Sequence, residues 1–294
     1  MMQAYPVASG ATLALSPWAW HFHPDVWATV VFLAASYAWA LKSVGPRYVE
    51  PGERPATRRQ VLWFCLGLLA LWASGDWPLH DLAERQLYSA HMVQHLTLSL
   101  VAPPLLLAGV PSWLARALLS PRPVMAVMRR LTRPLPALGI FNAVLVTTHW
   151  PPVVDLSLTS HTFHLVTHTV LTGAALLMWW PILSPLPELP RIPYPAQMLY
   201  LFLQTIIPTV PASFLTFTTT PIYHIYETLP RAFSISVVDD QRLAGLIMKL
   251  GGGVLLWSVI AVLFFRWSVK EERPENPDVL EWQRVERELN RLES

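Results

Sequence analysis

One cysteine in 294 residues, Cys65, excludes a disulfide framework and any CxxC metal or redox pair. Its expected place is that of a small buried hydrophobe in the second apolar segment. Charge is scarce as well. Asp, Glu, Lys and Arg make up 14% of the chain and the net charge is +2, against about 25% charged residues in soluble domains. That balance offers no basic surface for a nucleic acid. No Lys or Arg precedes Lys42, so the start of the chain lacks the basic region of a cleavable signal peptide. No internal repeat is evident. What fills the space is apolar: 53% hydrophobic residues and a mean hydropathy of +0.38, the composition of a membrane protein.

Seven apolar stretches approach spanning length, over 25–41, 59–75, 87–110, 134–150, 159–182, 195–219 and 238–267. The expected fold is an all-α, seven-helix membrane bundle over 25–267, preceded by an outer segment (1–24) and followed by a tail (268–294). Counted from the N-terminus, the segments outside the spans carry 0, 5, 1, 5, 0, 1, 2 and 6 Lys and Arg residues, and Lys249 alone lies deep in a span. By the positive-inside rule this alternation puts the N-terminus outside and the C-terminus in the cytoplasm. Trp18, Trp20, Trp27, Trp77 and Trp150 form an outer aromatic belt, and Trp39, Trp113, Trp179, Trp180 and Trp267 an inner one. Pro103-Pro104 interrupts the third span and Pro208 with Pro211 the sixth, which requires neighbouring helices to satisfy the freed carbonyls. In the tail, Trp282, Val285, Leu289 and Leu292 recur at helical spacing, the pattern of a short amphipathic helix.

All ten histidines then fall towards the outer side. His21 and His23 precede the first span, His80 lies in the next outer loop, His149 ends the fourth span, and His224 occupies the last outer loop. The other five are on two helices. At about 100° per residue, His95 points about 40° from His91, and His161, His164 and His168 share an arc of about 60°. At a rise of about 1.5 Å per residue, His91 matches His164 in depth and His95 matches His168. Asp240, Gln241 and Met248 descend from the same side on the seventh span.

Imidazoles suit copper, zinc and iron, and a thioether among them favours copper, above all Cu(I). The candidate ligands are His91, His95, His161, His164, His168 and Met248. Asp240, Gln241, His149, His21 and His23 are accessory candidates, with Asp240 expected to orient an imidazole or carry charge. The run HMVQH at 91–95 lacks the glutamate of a zinc-peptidase helix, so a hydrolytic enzyme is not indicated. Ligand imidazoles must be neutral, so metal uptake is expected to weaken below about pH 6.5. Taken singly, each histidine is equally at home as a buried hydrogen-bonding group; His80 and His224 read as capture ligands or simple interface residues.

The passages HFHPDVW (21–27), HMVQHLTLSLVAPPLLLAGVP (91–111), HWPPVVDLS (149–157), HTFHLVTHTVLTGAALLMWWPIL (161–183) and DDQRLAGLIMKLGGG (239–253) resemble the CtaG family of cytochrome c oxidase assembly factors. This is the multi-span family and not the copper chaperones with a CxC motif. The resemblance covers about residues 20–265 and implies a bacterial plasma-membrane protein needed for active haem–copper oxidase, through copper delivery to the copper B centre. It implies oxidase subunit I, and a periplasmic or extracellular copper chaperone, as partners. Lys249 departs from the apolar residue expected there. Zinc stays open as an alternative metal, as do three rival readings: a b-type cytochrome with a bis-histidine haem, a metal transporter, and a metal-free scaffold for oxidase subunits.

Overall fold

The computed structural model describes residues 21–231 and 233–272, together with Trp282, Leu289 and Arg291. Trp18, Trp20 and most of the expected amphipathic tail lie outside the described residues. All regular structure among the described residues is helical. In chain order the helices are α1 (Pro24–Trp39), α2 (Arg58–Gly75), α3 (Leu79–Arg85), α4 (Tyr88–Leu96), α5 (Ala102–Gly109), α6 (Ser112–Leu119) and α7 (Arg122–Leu131). They continue as α8 (Pro134–Thr148), α9 (Pro151–Thr159), α10 (His161–Leu183), α11 (Tyr194–Phe217), α12 (Val237–Leu246) and α13 (Gly252–Glu271). Wide π turns over Thr97–Val101 and Ile247–Gly251 join α4 to α5 and α12 to α13.

Six helical stretches are long and apolar enough to cross a membrane: Pro24–Arg47, Arg58–Arg85, Tyr88–Gly109, His161–Leu183, Tyr194–Phe217 and Val237–Glu271. The seventh is less regular than the sequence suggests. Here α8 and α9 meet at 70°, the geometry of a broken span or of a re-entrant loop. Pro151 and Pro152 explain the break, because neither has an N–H to continue the helical ladder. The chain also forms α3 where a loop was expected, and this short helix carries His80, Asp81 and Glu84.

Sequence dictates the packing at a few close contacts. The glycines Gly67 and Gly109 let α2 and α5 touch backbone to backbone. A Cβ on Gly109 would lie 2.5 Å from the Phe64 nitrogen, and one on Gly67 2.9 Å from the Leu106 nitrogen. The Tyr37 hydroxyl of α1 donates to the Gly109 carbonyl at 2.8 Å, tying a third helix to that crossing. Pro103 cannot donate to the carbonyl one turn back, that of Ser99, and the indole Nε1 of Trp179 on α10 donates to it instead at 2.9 Å. Trp179 is therefore a buried partner of the π turn and not a member of an inner aromatic belt. Cys65 departs from expectation in the other direction, since it is exposed on α2.

Asp240 has a structural task that its spacing did not reveal. It is fully buried. Its carboxylate accepts from the Tyr88 N–H (2.8 Å), the Ser89 N–H (3.1 Å) and the Ser89 hydroxyl (2.6 Å), capping α4 from another helix. Arg231 approaches the same carboxylate at 3.7 Å. Gln241 beside it accepts from the N–H groups of Ile222 and Tyr223 and donates to the Tyr223 carbonyl, holding the 221–227 loop over the bundle. Neither residue bonds an imidazole. Replacing Asp240 by alanine leaves two buried N–H groups unpaired beside Arg231, and the expected cost is about 1.5–3 kcal/mol for each charged hydrogen bond lost. Thermal unfolding in detergent measures this; an unchanged midpoint would contradict the capping role.

Candidate metal centre

Two helices present the imidazoles and two more close around them. His91 and His95 come one turn apart on α4, and their ring centroids are 4.2 Å apart. His164 and His168 repeat the arrangement on α10 at 4.0 Å. The faces meet: His91 lies 6.1 Å from His164 and 5.7 Å from His168, and His95 lies 5.1 Å from His168. His149, at the kink between α8 and α9, adds a ring 5.5 Å from His95. One nitrogen each from His91, His95 and His168 fall within 4.8 Å of one another. A tetrahedral ion at about 2.0–2.1 Å from each nitrogen needs them about 3.4 Å apart, a contraction within reach of small side-chain rotations.

The hydrogen-bond pattern argues that these donors await a ligand. His91, His95, His149 and His164 are buried and His168 is half-buried, yet Nδ1 of His91, both nitrogens of His95, and Nε2 of His149, His164 and His168 have no partner. Buried polar groups are ordinarily hydrogen-bonded, so this concentration of orphans in one place is informative. The orientations are also fixed from behind. The Nδ1 of His149 lies 2.7 Å from the Leu145 carbonyl, which only accepts, so the proton sits on Nδ1 and the Nε2 lone pair is free. The Ser157 hydroxyl lies 3.2 Å from Nδ1 of His164 and holds that ring in place, although a hydroxyl can serve either tautomer. A ring anchored at one nitrogen and bare at the other is the arrangement that a bound metal requires.

Other expected residues sit elsewhere. His161 is exposed, with Nε2 3.7 Å from Asp25 on α1, and stands outside the cluster despite sharing its helical face. It is one turn too high to meet α4. His21 and His23 pair with Asp81 of α3 at 3.0 and 3.5 Å. His224 is exposed and pairs with Glu227 at 2.8 Å. Met248 is buried and shares the wall of one cavity with His95 and His149. Lys249 lines the same cavity and rests its amine 5.8 Å from the Phe217 ring, a cation–π distance.

Sequence reasoning undervalued His80 and overlooked Glu84. With His164 they form a second group of ligand atoms within 4.8 Å. The available signal was the i, i+4 spacing of His80 and Glu84, which is visible only once 79–85 is read as a helix.

The fold and site thus define a multi-span helical membrane protein with a buried chain of imidazoles. The chain belongs to the cytochrome c oxidase caa3 assembly factor family (Caa3_CtaG), which matches residues 35–270. It is 26% identical to uncharacterized protein Mb0105 of Mycobacterium bovis and to uncharacterized protein MT0111 of Mycobacterium tuberculosis, over 92% of this chain and 42% of each relative. Uncharacterized protein ML1998 of Mycobacterium leprae is 24% identical over 86% of this chain and 40% of its own length. The chain therefore spans about two fifths of the length of the curated relatives it matches. No solved structure matches it.

The geometry separates two histidines that look alike in sequence. Substituting His95 by alanine is expected to weaken Cu(I) binding by at least about tenfold, whereas His161→Ala leaves it unchanged. Competition with a chromophoric Cu(I) chelator on purified protein checks both; equal effects would overturn the assignment.

Proposed function

We propose that this protein binds copper in the outer half of the membrane and delivers it to the copper B centre of a haem–copper oxidase during assembly. The observation that carries the reading is the meeting of His91, His95 and His168 with unpartnered nitrogens facing one another. Copper is cargo here, so the protein is a carrier and not an enzyme. His91, His95 and His168 hold the ion, with His149 and the Met248 thioether adjoining as further donors. An all-imidazole pocket beside a thioether suits Cu(I) better than a harder ion. Membership of the oxidase assembly family supports subunit I of the oxidase as the recipient, and an outer copper chaperone is the expected supplier.

Ring packing also favours copper over haem. The imidazole centroids of the cluster lie 4.0 to 6.1 Å apart, which leaves no slot for a porphyrin plane between two of them. A transporter would need polar groups continuing to the opposite face, and the imidazole chain ends at His95 and His149. The Lys and Arg alternation supports a plasma-membrane orientation with the N-terminus and the cluster outside.

One purified sample tests the core of this reading. Metal analysis after exposure to Cu(I) is expected to show bound copper, and the visible spectrum no Soret band. A Soret band would assign haem instead. In cells, the double substitution of His95 and His168 by alanine is expected to abolish oxidase activity while the protein remains in the membrane. Intact oxidase activity with that variant would point to a scaffold without metal. Reporter fusions at the C-terminus are expected to register the cytoplasm.

A further inference from the structure

We infer that His80, Glu84 and His164 form a second metal site, separate from the deep histidine trio, that takes a divalent transition cation. One ligand atom from each of the three lies within 4.8 Å of the others. The Glu84 Oε1 atom is 3.3 Å from His80 Nε2 and 3.2 Å from His164 Nε2. That second contact lacks the alignment of a hydrogen bond, and the buried His164 Nε2 has no partner. The Ser157 hydroxyl at Nδ1 can accept that nitrogen's proton. In that tautomer the His164 Nε2 lone pair and the Glu84 oxygen point at one spot, where a cation would bind both. Two imidazoles and one carboxylate are a donor set of intermediate hardness, suited to divalent cations such as Zn(II), Co(II) or Cu(II).

The far side of His80 is held by the Gln94 amide, a group that can serve either tautomer of the ring. The Gln94 amide nitrogen lies 2.8 Å from the Ser74 carbonyl and 2.9 Å from His80 Nδ1, while its Oε1 is buried without a partner. Turned end for end, the amide offers that oxygen to a protonated Nδ1, giving up the Ser74 contact. That is the tautomer in which Nε2 is free to bind a cation.

This site is also well placed to load the deeper one. From the rim, where His23 and Asp81 pair, ring centroids descend in short steps: His23 to His80 at 4.4 Å, His80 to His164 at 5.4 Å, His164 to His168 at 4.0 Å, and His168 to His95 at 5.1 Å. No step exceeds the reach of a side-chain rotation. The site stands on its own geometry; its role as a loading station rests on the copper-carrier reading.

Cobalt(II) titration of the full-length protein in detergent, followed by its visible bands, tests the site. The wild type is expected to bind two ions, and Glu84→Gln one. The double variant His91→Ala/His95→Ala is expected to keep the ion that Glu84→Gln loses. His80→Asn gives a second reading if Glu84→Gln fails to fold, and Glu84→Asp is expected to retain a shifted spectrum. Glu84→Gln and His80→Asn titrating like the wild type, or His91→Ala/His95→Ala losing the same ion that Glu84→Gln loses, would overturn the second site. If Glu84→Gln loses an ion but His91→Ala/His95→Ala binds copper normally, the second site stands and the deep-site reading fails. For the loading role, copper passes as Cu(I) with no change of oxidation state, and Glu84→Gln is expected to slow its uptake about tenfold at unchanged final occupancy of the deep site. An unchanged rate would remove the site from the path.

Discussion

The imidazole cluster depends on one buried carboxylate. Asp240, from α12, closes the open N-terminus of α4 and so fixes the height and rotation of the helix that carries His91 and His95. Without that contact the first turn of α4 would hold unpaired N–H groups where little water reaches them. Neighbouring contacts reinforce it. Tyr88, the first residue of α4, packs its ring against His91 and against Tyr223 and Tyr226, and Gln241 holds the loop that supplies those two tyrosines. A single acid thus links the last membrane segment, the 221–227 loop and the histidine-bearing face of α4.

The same requirement, that polar groups away from water find partners, runs through the rest of the bundle and gives its exceptions their meaning. The carbonyl released by Pro103 is taken up by Trp179. Asn142 on α8 donates to Gln204 on α11, a bond between two buried amides. Bare polar atoms remain elsewhere, on Asn142, Gln204, Tyr88 and Trp180 among them, but the imidazole nitrogens between α4 and α10 are gathered into one cluster. The fold holds His149 and His164 from behind and leaves the nitrogens of the cluster's other rings open.

Much of this was legible in the residues. Helical period put His91 and His95 on one face and His164 and His168 on another, and a rise per residue matched their depths. Proline pairs marked the interruptions. Other features were hidden because they depend on contacts between segments distant in sequence. Asp240 and Gln241 both sit about two turns above Met248, which suggests a ligand role, but their partners lie on α4 and in the 221–227 loop. His161 shares a face with His164 but not a level with any imidazole on α4. His80 and Glu84 look like loop residues until α3 is seen to fold after the Trp77-Pro78 corner. Period shows which residues share a face; it says nothing about what that face meets.

The π turns at Thr97–Val101 and Ile247–Gly251 have a consequence of a different kind. They lie against each other, with Leu96 packed on Gly251 and Gly252, and each houses one residue more than the α-helix on either side of it. Such a turn works as a spacer. It lets the histidine-bearing half of a helix keep its facing while the other half keeps a different one, so the two leaflets of the bundle can diverge independently. A relative that lacks one of these turns would differ by a single-residue gap there, with its imidazoles still in register above the gap and its opposite half turned by about 100°.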